Sequence, residues 1–175
     1  MAQYTEKAQE ALVLAGEAAE DMGSHVIGTE HILVGLIEEE SGTAAMVLKA
    51  NEVKLDRLLA LVEQLVSSYQ NTATKERDGY TPSARHVLEN SYKEAVRFHA
   101  PLIGTEHILM ALLKESDCVA VRLLNTLNIN IQKVYIDLLS AMGEDGNAGK
   151  EDLAQGRQQR GGQSATPTLD AYSRD

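Results

Sequence analysis

The sequence predicts an all-α protein made of two four-helix repeats, eight helices in total, packed with pseudo-two-fold symmetry and followed by a flexible C-terminal tail. Three observations lead to this prediction. One stretch of the chain recurs after 76 residues, apolar residues recur at spacings of three and four, and aromatic residues make up only 4% of the chain. With no Trp and one Phe, the core has to be built from aliphatic residues and Met, which favours packed helices over a sheet.

The internal repeat keeps one constant offset. Tyr4-Thr5 returns as Tyr80-Thr81, and a longer run returns with the same shift. Because the register stays intact over about 60 residues, it indicates a duplicated fold and not a recurring short motif. The two copies of the longer run are Ile27-Gly28-Thr29-Glu30-His31-Ile32-Leu33 and Ile103-Gly104-Thr105-Glu106-His107-Ile108-Leu109.

Each copy is predicted to contain four helices, because its apolar residues recur every three or four positions and not every second one. Neither copy contains an alternating strand pattern of comparable length. In chain order the apolar stripes run from Ala8 to Met22, Ile32 to Ile37, Ala44 to Leu48 and Leu55 to Leu65, and again from Ala84 to Phe98, Ile108 to Leu113, Ala120 to Leu124 and Ile131 to Met142.

The helix starts carry local signals. Thr81-Pro82 is a strong one, because Thr can cap a helix and Pro suits the first helical position, where its missing N–H is not needed. Thr5 is expected to start the first copy in the same way. The second helix of each copy is predicted to begin with Thr as its cap and a carboxylate in its positive first turn. These pairs are Thr29 with Glu30 and Thr105 with Glu106.

Domain boundaries follow from the loss of periodicity. We expect repeat one to span residues 4–66 and repeat two residues 80–142, together forming one domain over residues 1–142. The polar stretch from Ser67 to Gly79 joins the two copies. Residues 143–175 are rich in Gly, Gln, Asn and Arg and are predicted to be a flexible linker.

Composition limits the partners and the compartment. With 16 basic and 26 acidic residues the net charge is −10, which argues against general binding to nucleic acid or to an anionic membrane. The single cysteine, Cys118, cannot form an internal disulfide, and no basic-then-apolar leader opens the chain. No apolar run approaches the roughly 20 residues that span a bilayer. A reducing, cytoplasmic setting is expected.

Motifs of metal and nucleotide chemistry are absent from the sequence. It has no His-Glu-x-x-His, no Glu-x-x-His, no paired cysteines and no Gly-x-x-x-x-Gly-Lys-Ser/Thr run. His31 and His107 are therefore interpreted as hydrogen-bonded structural residues. A helical hydrolase using His and Glu side chains from both copies would need a nucleophile or metal ligands at catalytic spacing, and the sequence offers neither. We expect no catalytic residue, metal site or cofactor in this chain.

Two copies of Tyr-Thr-x-x-Ala, each followed about two dozen residues later by Gly-Thr-Glu-His-Ile-Leu, resemble the Clp N-terminal domain, most closely that of the ClpC type. The run Thr166-Pro167-Thr168-Leu169-Asp170 is similar to the segment that leads into the first AAA+ module of those proteins. The resemblance implies the N-terminal piece of a hexameric unfoldase that uses ATP and Mg and threads proteins into the ClpP protease. The piece itself is expected to be a monomer without ATPase activity that receives substrates and adaptor proteins.

The resemblance further implies recognition of phosphoarginine, a degradation tag on proteins. Glu30 and Glu106 match the guanidinium-binding glutamates of the family, and Thr5 and Thr81 match the threonines near the phosphate. Arg85 is a candidate phosphate partner because it lies close to Thr81 in the sequence. Helix starts suit this chemistry, because their free N–H groups bind anions while a neighbouring carboxylate accepts hydrogen bonds from the guanidinium.

Each copy is expected to hold one such site, because each retains a Thr at its first helix start and a Glu at its second. The first copy is expected to be the weaker one, since it carries most of the negative charge and has Glu6 where the second has Pro82. In the alternative interpretation the glutamates only balance the helix dipoles, and the domain docks adaptor proteins without recognising phosphoarginine.

Overall fold

The computed structural model describes residues 3–69 and 79–143, and these residues form eight α-helices. The predicted all-α fold is confirmed. The helices are α1 (Glu6–Asp21), α2 (Thr29–Glu39), α3 (Thr43–Ala50), α4 (Leu55–Tyr69), α5 (Pro82–Arg97), α6 (Thr105–Lys114), α7 (Val119–Thr126) and α8 (Ile131–Ala141).

The two predicted connections, residues 67–79 and 143–175, extend beyond the described residues. The backbone of α4 continues to Tyr69, so the connection between the copies begins later than the predicted Ser67. Apart from its first residue, the predicted linker over 143–175 lies outside the described residues.

The first helix of each copy begins as predicted. The Thr5 hydroxyl accepts a hydrogen bond from the Ala8 N–H at 3.1 Å, and the Thr81 hydroxyl accepts one from the Ala84 N–H at 3.1 Å. Pro82 occupies the first turn of α5. Both helices therefore start with the side-chain cap that their sequences indicate.

The predicted cap of the second helix is wrong in both copies. Gly28 and Gly104 are the cap residues of α2 and α6, and Thr29 and Thr105 are the first residues inside these helices. The two threonines are buried, and their hydroxyls bond to the opposite copy. They are therefore not available to cap the helices on which they lie.

The hydroxyls of these two threonines bond reciprocally across the two copies. The Thr29 hydroxyl accepts a hydrogen bond from the Ala120 N–H in α7 at 3.2 Å, and the Thr105 hydroxyl accepts one from the Ala44 N–H in α3 at 3.3 Å. Each threonine thus satisfies a first-turn N–H of a helix in the other copy. The exchange is what pseudo-two-fold symmetry requires of a contact between copies.

Helix packing follows the same symmetry. Within the copies, α1 packs along α2 and α5 along α6. Between the copies, α1 contacts α6 as α5 contacts α2, α2 contacts α7 as α6 contacts α3, and α4 contacts α7 as α8 contacts α3. Helices α2 and α6 lie at the centre, and their apolar residues are almost all buried. One continuous core joins the copies.

A close approach of α1 to α2 depends on a glycine. A Cβ atom at Gly35 would collide with the Ala11 carbonyl oxygen and lie 2.8 Å from the Ala15 nitrogen. The small residues on α1 and the missing side chain on α2 let the two backbones touch. A larger residue at position 35 would force these helices apart.

Two isolated parallel β-bridges join the copies. The Thr5 N–H donates to the Ile103 carbonyl at 2.9 Å, and the Thr81 N–H donates to the Ile27 carbonyl at 2.9 Å. The extended residue before the first helix of one copy therefore pairs with the extended residue before the second helix of the other. The bridged pairs are Tyr4 with Ile103 and Tyr80 with Ile27.

Replacing Thr29 by Val removes the hydroxyl that bonds to the other copy and keeps the shape of the side chain. Because the buried Ala120 N–H then lacks its acceptor, we expect the free energy of unfolding to fall by about 1–3 kcal/mol. Urea denaturation measures this change. Thr126→Val, at an exposed threonine, is the matched control. Equal losses in the free energy of unfolding for the two substitutions would contradict a stabilising contact between the copies.

Candidate functional site

The backbone bridges bring the predicted site residues together in crossed pairs. Thr81 bonds to Ile27, three residues before Glu30, and Thr5 bonds to Ile103, three residues before Glu106. Each candidate site therefore joins the start of the first helix of one copy to the start of the second helix of the other copy. We name them the Thr81–Glu30 site and the Thr5–Glu106 site.

The expectation of one site within each copy is therefore wrong. The start of α1 lies beside the C-terminal end of α2, where the Lys7 ammonium donates to the Ser41 carbonyl at 3.2 Å. Glu30 lies at the opposite end of α2. Since an α-helix rises 1.5 Å per residue, this helix separates Thr5 from Glu30 by roughly 15 Å.

Both glutamates fold back over the cap glycine of their own helix. A Cβ atom at Gly28 would collide with the Glu30 carboxylate, and a Cβ atom at Gly104 would lie 2.5 Å from Oε1 of Glu106. Any side chain at either glycine would displace the carboxylate. These glycines therefore leave the space in which the carboxylates lie against the helix start.

The Glu30 carboxylate is half-buried, and this burial raises its pKa. Its own backbone N–H acts in the opposite direction and lowers the pKa. Among the described residues, no other residue donates a hydrogen bond to this carboxylate. A ligand that brings further N–H donors would satisfy the remaining acceptor positions.

One histidine ring accepts a backbone hydrogen bond at the start of α2, and another does so at the start of α6. Nδ1 of His31 accepts a hydrogen bond from the Gly28 N–H at 2.9 Å, and Nδ1 of His107 accepts one from the Gly104 N–H at 2.9 Å. Their predicted structural role is confirmed. Burial lowers the pKa of His31 to about 4 and also lowers that of His107, so both rings are neutral at pH 7.

The first helix start of each copy carries a side chain that folds back onto the backbone. The Arg85 guanidinium donates to the Tyr80 carbonyl at 3.4 Å, and the Gln9 amide donates to the Tyr4 carbonyl at 2.9 Å. Arg85 and Gln9 occupy equivalent positions in the two copies. The Thr81–Glu30 site therefore includes a cation where the Thr5–Glu106 site has a neutral amide.

Sequence reasoning missed three of these residues. Gln9 lies 76 residues before Arg85, so the repeat offset itself signals its equivalence. Gly28 and Gly104 stand directly before Thr29 and Thr105, the predicted caps. Their role depends on the path of the glutamate side chain, for which the sequence gives no signal.

Residues 3–69 and 79–143 show neither a metal-binding cluster nor a membrane-spanning helix. These residues contain no group of three or more His, Cys, Asp or Glu side chains placed to hold a metal ion. No helix in these ranges is long and apolar enough to cross a membrane. Cys118 is buried at the start of α7.

The fold and the two crossed sites define a duplicated all-α module. The family model described as the Clp repeat (R) N-terminal domain matches residues 3–127 and 79–172. The chain belongs to this family, which confirms the resemblance seen in its motifs.

Curated relatives named ClpB and ClpC match almost the whole chain. The chaperone protein ClpB of Oceanobacillus iheyensis is 37% identical over 175 residues, covering 98% of this chain and 21% of its own length. The ATP-dependent Clp protease ATP-binding subunit ClpC of Staphylococcus aureus strain USA300 is 36% identical over 171 residues, covering 98% of this chain and 20% of its own length. The chain thus spans about a fifth of the length of these curated relatives.

Solved structures share the fold. The N-terminal domain of ClpD from Arabidopsis thaliana has a TM-score of 0.64 at 22% identity and covers 80% of this chain and 97% of its own. The Hsp104 N-terminal domain from Candida albicans has a TM-score of 0.60 at 15% identity and covers 84% and 99%.

His31→Gln tests the role of the buried histidine, because Gln can also accept the cap hydrogen bond but does not titrate. The folded state resists protonation of His31, so the unfolded state binds more protons between pH 6.5 and about 4. We therefore expect the free energy of unfolding to fall as the pH drops through this range, by up to about 1.4 kcal/mol per pH unit for this histidine.

Denaturation at several pH values measures this slope. His31→Gln should flatten it, whereas His25→Gln, at an exposed histidine, should leave it unchanged. The same slope in His31→Gln as in the parent chain would contradict the assigned role.

Proposed function

We propose that this domain is the substrate and adaptor receptor of a ClpC-type ATP-dependent protein unfoldase, and that it binds phosphoarginine-tagged proteins for degradation by ClpP. The domain itself binds and does not catalyse. ATP and Mg act in the parent hexamer, in the cytoplasm. Family membership and the ClpC relative support this role.

The Glu30 carboxylate is the observation that carries the phosphoarginine proposal. It is half-buried, its pKa is raised by burial, and no other residue among those described donates a hydrogen bond to it. A guanidinium supplies N–H donors in a planar fork that fits a carboxylate. Its positive charge also offsets the unfavourable burial of the ionised carboxylate.

The start of α5 supplies the second half of the Thr81–Glu30 site. The Thr81 N–H donates to the Ile27 carbonyl just before α2. The positive end of the α5 dipole therefore lies near the start of α2, which carries Glu30. First-turn N–H groups and the Arg85 guanidinium suit a phosphate. Phosphoarginine carries phosphate and guanidinium in one side chain, which matches two neighbouring helix starts.

The two sites differ in charge. At the start of α1, Glu6 replaces Pro82 and Gln9 replaces Arg85, while the Lys7 ammonium donates to the Ser41 carbonyl. The Thr5–Glu106 site therefore offers less positive charge to a phosphate. We propose that it binds phosphoarginine more weakly than the Thr81–Glu30 site does.

Adaptor docking without phosphoarginine recognition is the alternative function. It is favoured by the position of Glu30 and Glu106 in the first turns of their helices, where a carboxylate balances the helix dipole without any ligand. Titration with phosphoarginine decides between the two proposals.

Calorimetric titration with free phosphoarginine should reveal two sites, and Glu30→Ala and Glu106→Ala should each remove one of them. Loss of a charge-assisted hydrogen bond worth about 1.5–3 kcal/mol weakens a site by about 10- to 150-fold. Phosphoserine and arginine are ligand controls. Asp56→Ala, which removes an exposed first-turn carboxylate from α4, is the matched protein control.

Full binding by a folded Glu30→Ala, Glu106→Ala double variant would contradict phosphoarginine recognition by these glutamates. The double variant is expected to fold, because burial makes the empty Glu30 carboxylate unfavourable and the dipole contribution of each glutamate is below about 1 kcal/mol.

Arg85→Gln tests the crossed pairing. It replaces the arginine of the Thr81–Glu30 site by glutamine, the residue that Gln9 supplies at the equivalent position of the Thr5–Glu106 site. In the Glu106→Ala background, where only the Thr81–Glu30 site remains, it should weaken phosphoarginine binding by about tenfold. In the Glu30→Ala background it should have no effect. Lys93→Gln, at an exposed lysine of α5, is the control. If Arg85→Gln weakened binding only in the Glu30→Ala background, the crossed pairing would be contradicted.

A further inference from the structure

The two helix starts that carry Thr5 and Thr81 differ in net charge. Residues 6–10, directly after Thr5, contain two carboxylates and one ammonium, which gives a net charge of −1. The equivalent residues 82–86, directly after Thr81, contain one guanidinium and no carboxylate, which gives +1 with histidine counted as neutral. The backbones make equivalent contacts, so the two starts differ in charge but not in fold.

A carboxylate in the first turn of α1 lowers the positive potential at its start. Glu6 is exposed there, and a carboxylate at this position balances the positive end of the helix dipole. Helix α5 has no acidic residue in its first turn and has Pro82 at the equivalent position. The start of α1 is therefore already balanced by a carboxylate of the chain itself, whereas the start of α5 keeps its positive potential for an anionic ligand group.

The side chains of Gln9 and Arg85 bring a charge difference to the backbone of the two sites. The Gln9 amide donates to the Tyr4 carbonyl at 2.9 Å, and the Arg85 guanidinium donates to the Tyr80 carbonyl at 3.4 Å. Each of these carbonyls directly precedes the threonine of its site. The Arg85 guanidinium attracts a phosphate and repels an unmodified guanidinium, whereas the neutral Gln9 amide does neither.

The carboxylate half is alike in the two sites. Glu106 and Glu30 lie in the first turns of α6 and α2, and each carboxylate folds over the glycine before its helix. Both sites therefore offer a carboxylate to a guanidinium, and they differ in the half that would meet a phosphate. A guanidinium without phosphate meets net negative charge only at the Thr5–Glu106 site, because Arg85 offsets the charge of Glu30 at the other one.

We propose that the Thr5–Glu106 site also binds the unmodified arginine side chain of a protein segment, whereas the Thr81–Glu30 site selects for the phosphate. This inference rests on the proposed phosphoarginine function and adds a second ligand class to one of its two sites. An arginine without the tag is attracted by the carboxylates of Glu106 and Glu6 at the first site and repelled by Arg85 at the second.

The size of the effect follows from Coulomb's law. Two unit charges about 7 Å apart in water change a binding constant by about threefold. Because the helix starts differ by two unit charges, the arginine cation should bind about five- to tenfold more tightly to the Thr5–Glu106 site. The same difference acts in the opposite direction on phosphoarginine, whose phosphate makes it net negative. The ratio of phosphoarginine affinity to arginine affinity should therefore be about 10- to 100-fold smaller at the Thr5–Glu106 site.

Capped amino acids test this difference, because they carry no charge outside the side chain. N-acetylarginine methylamide and its phosphorylated form are titrated calorimetrically into the Glu30→Ala variant, which keeps the Thr5–Glu106 site, and into Glu106→Ala, which keeps the Thr81–Glu30 site. The arginine ligand should bind about five- to tenfold more tightly to the Glu30→Ala variant. N-acetylcitrulline methylamide has a similar shape and no charge, and it should bind to neither variant.

Gln9→Arg assigns the effect to a single charge. In the Glu30→Ala background it gives the Thr5–Glu106 site the cation of the other site. It should weaken binding of the arginine ligand by about threefold and strengthen binding of the phosphorylated ligand by about threefold.

Glu20→Gln is the matched control, because it also changes the charge of α1 by one unit and, like Gln9, Glu20 is exposed. Glu20 lies about 16 Å along the helix from Gln9, which exceeds the screening length of about 8 Å at physiological salt. Both affinities should therefore stay unchanged in this variant.

The outcomes separate this inference from the proposed function. If the phosphorylated ligand binds to both single variants but the arginine ligand binds no more tightly to Glu30→Ala than to Glu106→Ala, the inference is wrong and the proposed function stands. Failure of the phosphorylated ligand to bind to either variant would overturn both. A citrulline ligand that binds as tightly as the arginine ligand, or unchanged affinities in Gln9→Arg, would overturn the inference, because charge would then not decide which ligand binds.

Discussion

The exchange of backbone hydrogen bonds between the two copies is the constraint on which the rest of the structure depends. Thr5 bonds to Ile103 and Thr81 to Ile27, so the start of each first helix is fixed against the other copy. The hydroxyls of Thr29 and Thr105 add two further reciprocal bonds. Because buried backbone groups must find partners, the helix starts at this interface are satisfied only when both copies are present.

This constraint also explains why one Gly-Thr-Glu-His motif serves several purposes. The glycine leaves room for the carboxylate, the threonine bonds to the other copy, and the histidine accepts the cap N–H. Only the glutamate lacks a comparable structural partner. In the proposed function it is therefore the residue left to meet a ligand, while its three neighbours hold the helix start in place.

Backbone symmetry does not extend to the side-chain charges. In the second copy buried Glu94 pairs with Lys114 at 2.7 Å and with Arg97 at 3.0 Å. The equivalent positions in the first copy are Ala18, Glu38 and Asp21, and burial, Asp21 and then Glu17 raise the pKa of Glu38. Duplication thus preserves the packing that both copies need, while residues outside the shared interface diverge. The Arg85 and Gln9 difference is of the same kind.

The sequence by itself determined the duplication, the eight helices and the caps at Thr5 and Thr81, because apolar periodicity and capping act over a few neighbouring residues. The resemblance of its repeated motif to the Clp N-terminal domain also pointed to Glu30 and Glu106, which local chemistry alone explains as charges that balance helix dipoles. Only the tertiary structure decided which glutamate stands beside which threonine. Local chemistry is the same in both copies, so the crossed pairing comes from how two equivalent surfaces pack, and packing joins residues that lie about 50 to 100 positions apart in the chain.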